Sequence, residues 1–510
     1  MKRKYKKIIN SGLVLSALMV FFPSCDKFLE ERPSKNSSLV VTTVEQLDAL
    51  LNNYSTFYQE GNRTAIYSTD DFGWFTNLYD ARPGTFSLAL VEFALWDKQY
   101  LPDDGRETFW SNEYKKIFNA NLVLAYLDKV SGSDADKLRL KADAHLIRAY
   151  SYWELVNTYS LPYTDANKNE PGLPIKLGTS FDEPIARQPI SAVYQQIEKD
   201  LTEALKITTP LVQNGIARHW RANTAAVNGF AARYYLNRND YTKALQYANT
   251  ALSEYSTLVD YNTDFKYGKP QTITINPGPN QQTVTLQYPY THDQQTDLTD
   301  YIGWKEFYYF RMLYHESWWY IPSQELLSLY DQTNDLRYRY HIVEQYSYDR
   351  TLTNPAYDYP GYIFFFKDRI PSGPSVAEAI LIKAESLART GQVAAAITAV
   401  NQLYSKRTIK GTPALTASSQ SEAIQVILKE RRRELPFTQR WFDIRRFNNN
   451  DDPNDDVVLT KTFYPYNASS VLTTQAPITY TLPKNSRRFA APLPRTEIIS
   501  SNGVIEQNIY

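Results

Sequence analysis

Beyond residue 38, hydrophobic positions recur mostly three or four apart, the period of an α-helix. Thr43 precedes the apolar-periodic run Val44–Leu51, with Glu45 and Gln46 in the first turn, which predicts a capped helix there. Two longer helical patterns follow, Phe109–Val130 and Asp136–Tyr159. In the second, Leu138, Ala142, Leu146, Ala149, Trp153 and Val156 fall on one face.

An internal repeat lies further on. Residues 225–252 align with 377–404 at an offset of 152. Ala232 falls over Ala384 and Tyr235 over Leu387. Tyr241 falls over Val393, Ala244 over Ala396, Leu245 over Ile397 and Ala248 over Val400. Asn239–Asp240 and Gly391–Gln392 split each copy into two helices. Ala232, Tyr235, Ala244 and Ala251 occupy the small, large, small and small positions of the roughly 34-residue tetratricopeptide pattern. Such units cannot bury their faces alone, so Phe109–Tyr159 is expected to supply another pair.

Long stretches without period separate the helical blocks: Pro83–Asp104, Leu161–Pro189 and Tyr261–Gly303. Thr272–Ile275 and Thr283–Leu286 alternate polar and apolar residues around a Pro- and Gly-bearing tip, which predicts a β-hairpin. From Asp451 on, the chain is again rich in Pro, Asn, Thr and Tyr and reads as irregular. The expected fold is mostly α: tetratricopeptide-like helical pairs, long irregular loops and a small hairpin.

The first 24 residues have a different pattern. Cations at Lys2, Arg3, Lys4, Lys6 and Lys7 precede the apolar run Ile8–Phe22, too short for the roughly 20 residues that span a bilayer. Pro23–Ser24–Cys25 closes the run. A small residue before a lone cysteine at this place marks residues 1–24 as a lipoprotein signal and Cys25 as the acylated first residue of the mature chain. Residues 25–38 then read as a tether able to reach about 40 Å if extended.

Composition narrows the function. The 510 residues carry 55 Lys+Arg and 55 Asp+Glu. Removing the five signal-peptide cations leaves 50 basic against 55 acidic residues, and so no broad basic face for nucleic acid. One Cys excludes an intrachain disulfide, and the five His are not spaced as metal ligands, so no metal or cofactor is expected.

Several segments resemble the SusD/RagB family of nutrient-binding outer-membrane lipoproteins of Bacteroidetes. They are Cys25–Glu30 with Pro33, Ala144–Leu161 with Pro162, Arg187–Leu205, Val376–Arg389, Glu430–Arg446 and Ala491–Glu497. The family usually carries Gly where Ser160 stands, and Phe-Glu-Gly where Phe437–Thr438 stands. The resemblance implies a single SusD-like domain over 39–510, anchored by lipid at the cell-surface side of the outer membrane. It further implies a SusC-like TonB-dependent transporter as partner, an oligosaccharide or peptide as ligand, and no catalysis.

The chemistry visible in the residues agrees with binding. No Gly-x-Ser-x-Gly, phosphate loop, Gly-x-Gly-x-x-Gly or His-Glu-x-x-His is present. Asp70–Asp71 and Asp103–Asp104 read as solvated loop or cap residues, and His145 as a packed or capping histidine. Arg431, Arg432, Arg433, Arg440, Arg445 and Arg446 stand among Glu430, Glu434 and Asp443, a composition suited to an ion network. Tyr is abundant, with 40 residues. Trp110, Trp153 and Trp441 lie on helical patterns and read as core. The loop aromatics are the candidate ligand contacts, because a sugar's C–H face packs flat on a ring while amides and carboxylates meet its hydroxyls. These candidates are Trp74, Asn77, Tyr79, Trp96, Tyr288, Tyr290 and Trp304. Two other readings stand beside this one: a lipid-anchored tetratricopeptide scaffold that binds proteins, and a surface glycoside hydrolase.

Overall fold

The computed structural model describes residues 41–81, 83–97, 108–180, 183–265, 271–275, 279, 281–286, 303–315, 320–343, 360–365 and 368–510. Cys25, the tether, Asp103–Asp104, Tyr288 and Tyr290 lie outside the described residues.

Val44–Leu51 is a helix with a capping box, in which Thr43 accepts from the Gln46 N–H and the Gln46 side chain reaches back. The helices Phe109–Tyr126 and Asp134–Tyr159 pack as a pair, and Ile190–Ala204 packs on the second. Ser133 caps Asp134–Tyr159, and Asp134 and Asp136 favour the positive end of its dipole. From Ala142 to Tyr159 this helix is buried on every side, so it runs through the centre of the molecule. The single apolar face read from the sequence is one part of that burial.

The repeat is present in the backbone. Thr224–Asn237 and Tyr241–Glu254 form one pair, and Val376–Arg389 and Val393–Arg407 the other. Corresponding helices of the two copies begin 152 positions apart. The turns match as well, with left-handed φ of 57° at Asn239 and 81° at Gly391. Ala232, Ala244, Ala248, Ala384 and Ala396 are fully buried. Small residues at these contacts let the helices approach closely, and larger neighbours such as Tyr235, stacked on Tyr247 at 5.4 Å, fill the flanks.

A second core, half of it Tyr and Phe, is built around short strands. Gln59–Glu60 pairs parallel with Met312–Tyr314, which pairs antiparallel with Arg369–Pro371. The predicted hairpin forms with Thr272 opposite Thr285 and Ile275 opposite Gln282.

Two irregular stretches contain structure that the sequence pattern hid. Pro83–Asp104 holds the Ser87-capped helix Leu88–Ala94. The region after Asp451 holds a second hairpin, with Leu459–Phe463 antiparallel to Ile478–Leu482. Its alternation was masked because the inward phase is Leu459, Lys461, Phe463, with a lysine in the core position.

The arginine-rich segment forms the expected ion network. Arg446 grips Glu385 at 2.6 and 2.7 Å and Asp443 at 2.9 Å, and Arg431 holds Asp443 at 2.8 Å. Asp70 and Asp71 belong to this network, contrary to the solvated-loop expectation. Arg440 grips both Asp70 oxygens at 2.7 Å, and Arg432 meets Asp71 at 2.8 Å. The Phe437 N–H also donates to Asp71. Burial alone would raise Asp70, yet Arg440 and Arg432 outweigh it and hold the carboxyl well below its ordinary range. For Asp71 burial wins and the group is raised. Arg445 finds no carboxylate among the described residues. It donates to the carbonyls of Phe489 and Ser160, and burial lowers it to about 10. His145 is the packed residue expected, with Nδ1 2.8 Å from Asp200.

Candidate functional site

Four of the sequence candidates come together beside the C-terminal hairpin. The segment Phe72–Trp74 runs into the short helix Thr76–Ala81, which carries Asn77 and Tyr79. Trp96 follows the helix Leu88–Ala94, at a left-handed φ of 63°. The hairpin lies between these two segments. Lys461 sits 4.7 Å from the Trp96 ring centre and 5.9 Å from that of Trp74. Its Nζ donates to the Ala94 carbonyl at 3.0 Å and to the Tyr67 carbonyl, which ties the helices Leu88–Ala94 and Arg63–Tyr67 to the strand. Burial pushes this amine well below its ordinary pKa.

The candidates differ in what they leave open. The Trp74 ring is half-buried, packed against Phe86 at 5.3 Å, Phe72 at 5.5 Å and Phe463 at 5.6 Å. Its indole N–H has no partner among the described residues. Asn77 is exposed; its carbonyl oxygen accepts from the Leu78 N–H, and its amide NH2 makes no hydrogen bond with any described residue. Tyr79 is 8% exposed and meets Phe463 edge-on. Trp96 is 5% exposed, and its N–H is used on the Ser68 carbonyl at 3.0 Å. Trp304 lies apart from this group, 8% exposed, edge-on to Phe265, Phe364 and Phe365. Tyr79, Trp96 and Trp304 therefore serve as packing residues here, because partners distant in sequence cover their rings.

The hairpin supplies ring surface that the sequence reading missed. Tyr464, Tyr466 and Tyr480 are half-exposed. Tyr466 and Tyr480 stack at 5.9 Å with planes 15° apart. The Tyr464 hydroxyl donates to Asp80 at 2.8 Å, and the Tyr466 hydroxyl to Asp97 at 2.7 Å. Burial and the Asp97 carboxylate push the Tyr466 phenol up, so the ring stays neutral and the donor stays in place. Tyr-Pro-Tyr at 464–466 was the available signal, obscured by the irregular composition around it. Tyr464, Tyr466 and Tyr480 thus form an aromatic face on the hairpin, with Asp80 and Asp97 bonded at its edge; Trp74 meets the same hairpin through Phe463, and Asn77 lies on the neighbouring helix. Flat apolar rings with fixed acceptors beside them suit a ligand with C–H faces and hydroxyl edges. Among the described residues, no group of three His, Cys, Asp or Glu is placed to hold a metal ion. Nor is any described helix long and apolar enough to cross a membrane.

Comparison with known proteins gives this geometry its family. A SusD-like family described as "Starch-binding associating with outer membrane" matches residues 27–236, and the SusD family matches residues 376–510. The chain belongs to the SusD/RagB family. SusD-like protein P38 of Formosa agariphila is 22% identical, over 88% of this chain and 92% of that protein. Among solved structures, a SusD superfamily protein of Bacteroides thetaiotaomicron shares the fold at a TM-score of 0.62 and 18% identity, covering 92% of this chain and 100% of that one. Surface glycan-binding protein A of Bacteroides uniformis shares it at 0.61 and 16%, with the same coverage.

Proposed function

We propose that this chain is a surface glycan-binding protein that captures an oligosaccharide on the aromatic face and passes it to a TonB-dependent outer-membrane transporter. The observation that carries the reading is the half-exposed set Tyr464, Tyr466 and Tyr480, with Asp80 and Asp97 bonded at its edge and Trp74 against the same hairpin, on a chain of the SusD/RagB family. Glycan-binding proteins of this family are non-catalytic, and capture without turnover is the activity proposed. The anchor is Cys25, whose acylation would hold the protein at the outer membrane. One or two stacking rings with hydrogen bonds correspond to micromolar to millimolar affinity, about −8 to −4 kcal/mol. Weak binding suits a protein that hands its ligand on.

A glycan and peptide array on the mature chain, followed by calorimetry and product analysis, tests this reading. Intact oligosaccharide recovered after binding is the expected result. Cleaved sugar would move the protein to the hydrolases, and peptide hits alone would change the ligand class. Co-purification of the transporter with wild type, and its loss with Cys25→Ala together with loss of fatty-acid label, tests partner and anchor.

A further inference from the structure

The two turns of the internal repeat share a backbone and differ in chemistry. Asn239 and Gly391 are both left-handed, and the helices on either side coincide at the 152-residue offset. Around Gly391 stand Thr390 and Val393. Around Asn239 stand Arg238 and Tyr241. Fold alone does not ask for these polar and aromatic groups, since the second copy makes the same turn without them.

The first turn forms one wall of a cleft of about 720 Å³. The loop carrying Tyr163, the start of the helix Gln420–Glu434 and the segment 449–452 form the rest. Its volume lies within the roughly 300–1,000 Å³ usual for small-ligand sites. The Arg238 guanidinium lies 3.7 Å over the Tyr163 ring centre and 5.1 Å from that of Tyr194. It is half-buried, yet it makes no hydrogen bond or ion pair with any described residue. Stacking covers its face and leaves its N–H edges available. Arg389, which also lines the cleft 5.6 Å from the Tyr241 ring centre, is by contrast tied to Asp452 and Asp455. Further unused groups face the same space. The Tyr163 hydroxyl and the Asp451 carboxylate have no partner among the described residues. The Asn449 side chain donates to the Arg445 carbonyl at 2.8 Å, which fixes its orientation and leaves its Oδ1 without a donor among the described residues. Asn239 is held in the same way, with its Oδ1 accepting from the Tyr241 hydroxyl at 3.3 Å.

The cleft therefore presents held donors and held acceptors together. Asp165, Asp451 and Asp452 in its lining disfavour a polyanion, and the unpaired Arg238 disfavours a cation. A neutral polyhydroxylated ligand needs both kinds of group and carries no charge to be repelled. We infer that this cleft is a second saccharide site, separate from the aromatic face and sharing with the proposed function only its ligand class.

The test is calorimetry with maltohexaose, cellohexaose, xylohexaose and mannohexaose on the full mature chain. Wild type is compared with Arg238→Ala, Asn449→Ala and the double variant Tyr464→Ala/Tyr466→Ala. The expected result is at least tenfold weaker binding of one of these sugars in both cleft variants, with melting temperatures near wild type. That binding should persist in the hairpin variant. Sugar binding lost only in the hairpin variant overturns the second site and leaves the proposed function standing. Wild-type binding in all three variants overturns both placements. If none of the four sugars binds wild type, the second site falls with the saccharide assignment.

Discussion

The helical scaffold and the aromatic half solve burial differently. The scaffold core is rich in Ala, Leu, Ile and Val, set by small residues at helix contacts, and its charges are matched by arginine–carboxylate pairs on helices. Half of the second core is Tyr and Phe, on short helices, strands and loops, and some of its polar atoms pair within it. The Tyr261 hydroxyl meets His341 Nε2 at 2.9 Å, and the Tyr67 hydroxyl meets His315 Nε2 at 3.2 Å. Paired ions hold a fixed frame. Amphipathic rings can be half-buried, so the same residues that pack the second core also furnish its exposed rim.

Acid should separate the halves most strongly. Burial holds His315 and His341 neutral, at about 3 each. A base with a depressed folded pKa contributes stability present above its unfolded value near 6.5, and that stability is lost as pH falls through the folded value. Each depression, from 6.5 to about 3, corresponds to roughly 4 kcal/mol by pH 3. Asp368, pushed up to about 6 by burial, works the other way. Its folded form is favoured as pH falls from 6 towards 4, which offsets part of the histidine loss. In the scaffold, burial would raise Glu430, but Arg337 and Arg433 bring it down to about 2. Its contribution is lost only as pH falls from the ordinary carboxylate range towards 2. Urea titrations from pH 7 to 3 should show stability falling before the carboxylate window, and His341→Gln should flatten that early fall. Identical profiles for variant and wild type would break the contrast.

Trp96 tests which half owns the loop tryptophans. Because it is buried and its N–H is bonded, Trp96→Ala should cost about 3–5 kcal/mol and lower the melting temperature sharply. A variant that melts like wild type would return Trp96 to the role of an open platform. The scaffold comes next. Ala232→Leu and Ala384→Leu add bulk at equivalent, fully buried helix contacts, and each should cost about 1–3 kcal/mol in thermal melts. A large difference between them would mean that the two copies do not pack alike.

The same contrast governs what could be read from sequence. The repeat, the Thr43 cap, the 271–286 hairpin and the charge composition of the arginine-rich segment are local or periodic, and residue spacing reveals them. The aromatic half is assembled from distant segments. Arg432 meets Asp71 across 361 positions, and Tyr466 meets Asp97 across 369. Nothing local in Asp70–Asp71 marks that pair as buried. Likewise nothing local in Trp96 or Trp304 shows that other segments cover their rings. Lys461 in an inward strand position concealed the hairpin that carries Tyr464 and Tyr466. The family resemblance located the fold and the class of ligand, but the open rings became visible only when the hairpin was placed beside Trp74.

The smallest effect bears most directly on the site. Tyr466→Phe removes a hydroxyl bonded to Asp97 at 2.7 Å and keeps the ring stacked on Tyr480. A hydrogen bond to a charged group at a half-exposed position contributes on the order of 1 kcal/mol, so the melting temperature should fall only slightly. If the ligand stacks on the ring face, Phe should bind almost as well as Tyr. Tyr466→Ala removes the face itself. An aromatic contact contributes about 0.5–1.5 kcal/mol beyond its area, so affinity should drop roughly two- to tenfold. Calorimetry with the glycan found on the array, run on both variants, separates the two contributions. Equal losses for Phe and Ala would assign the hydroxyl, and with it Asp97, as the recognising group. No loss for either would remove the Tyr466–Tyr480 pair from the site and leave Trp74 and Tyr464 to carry it.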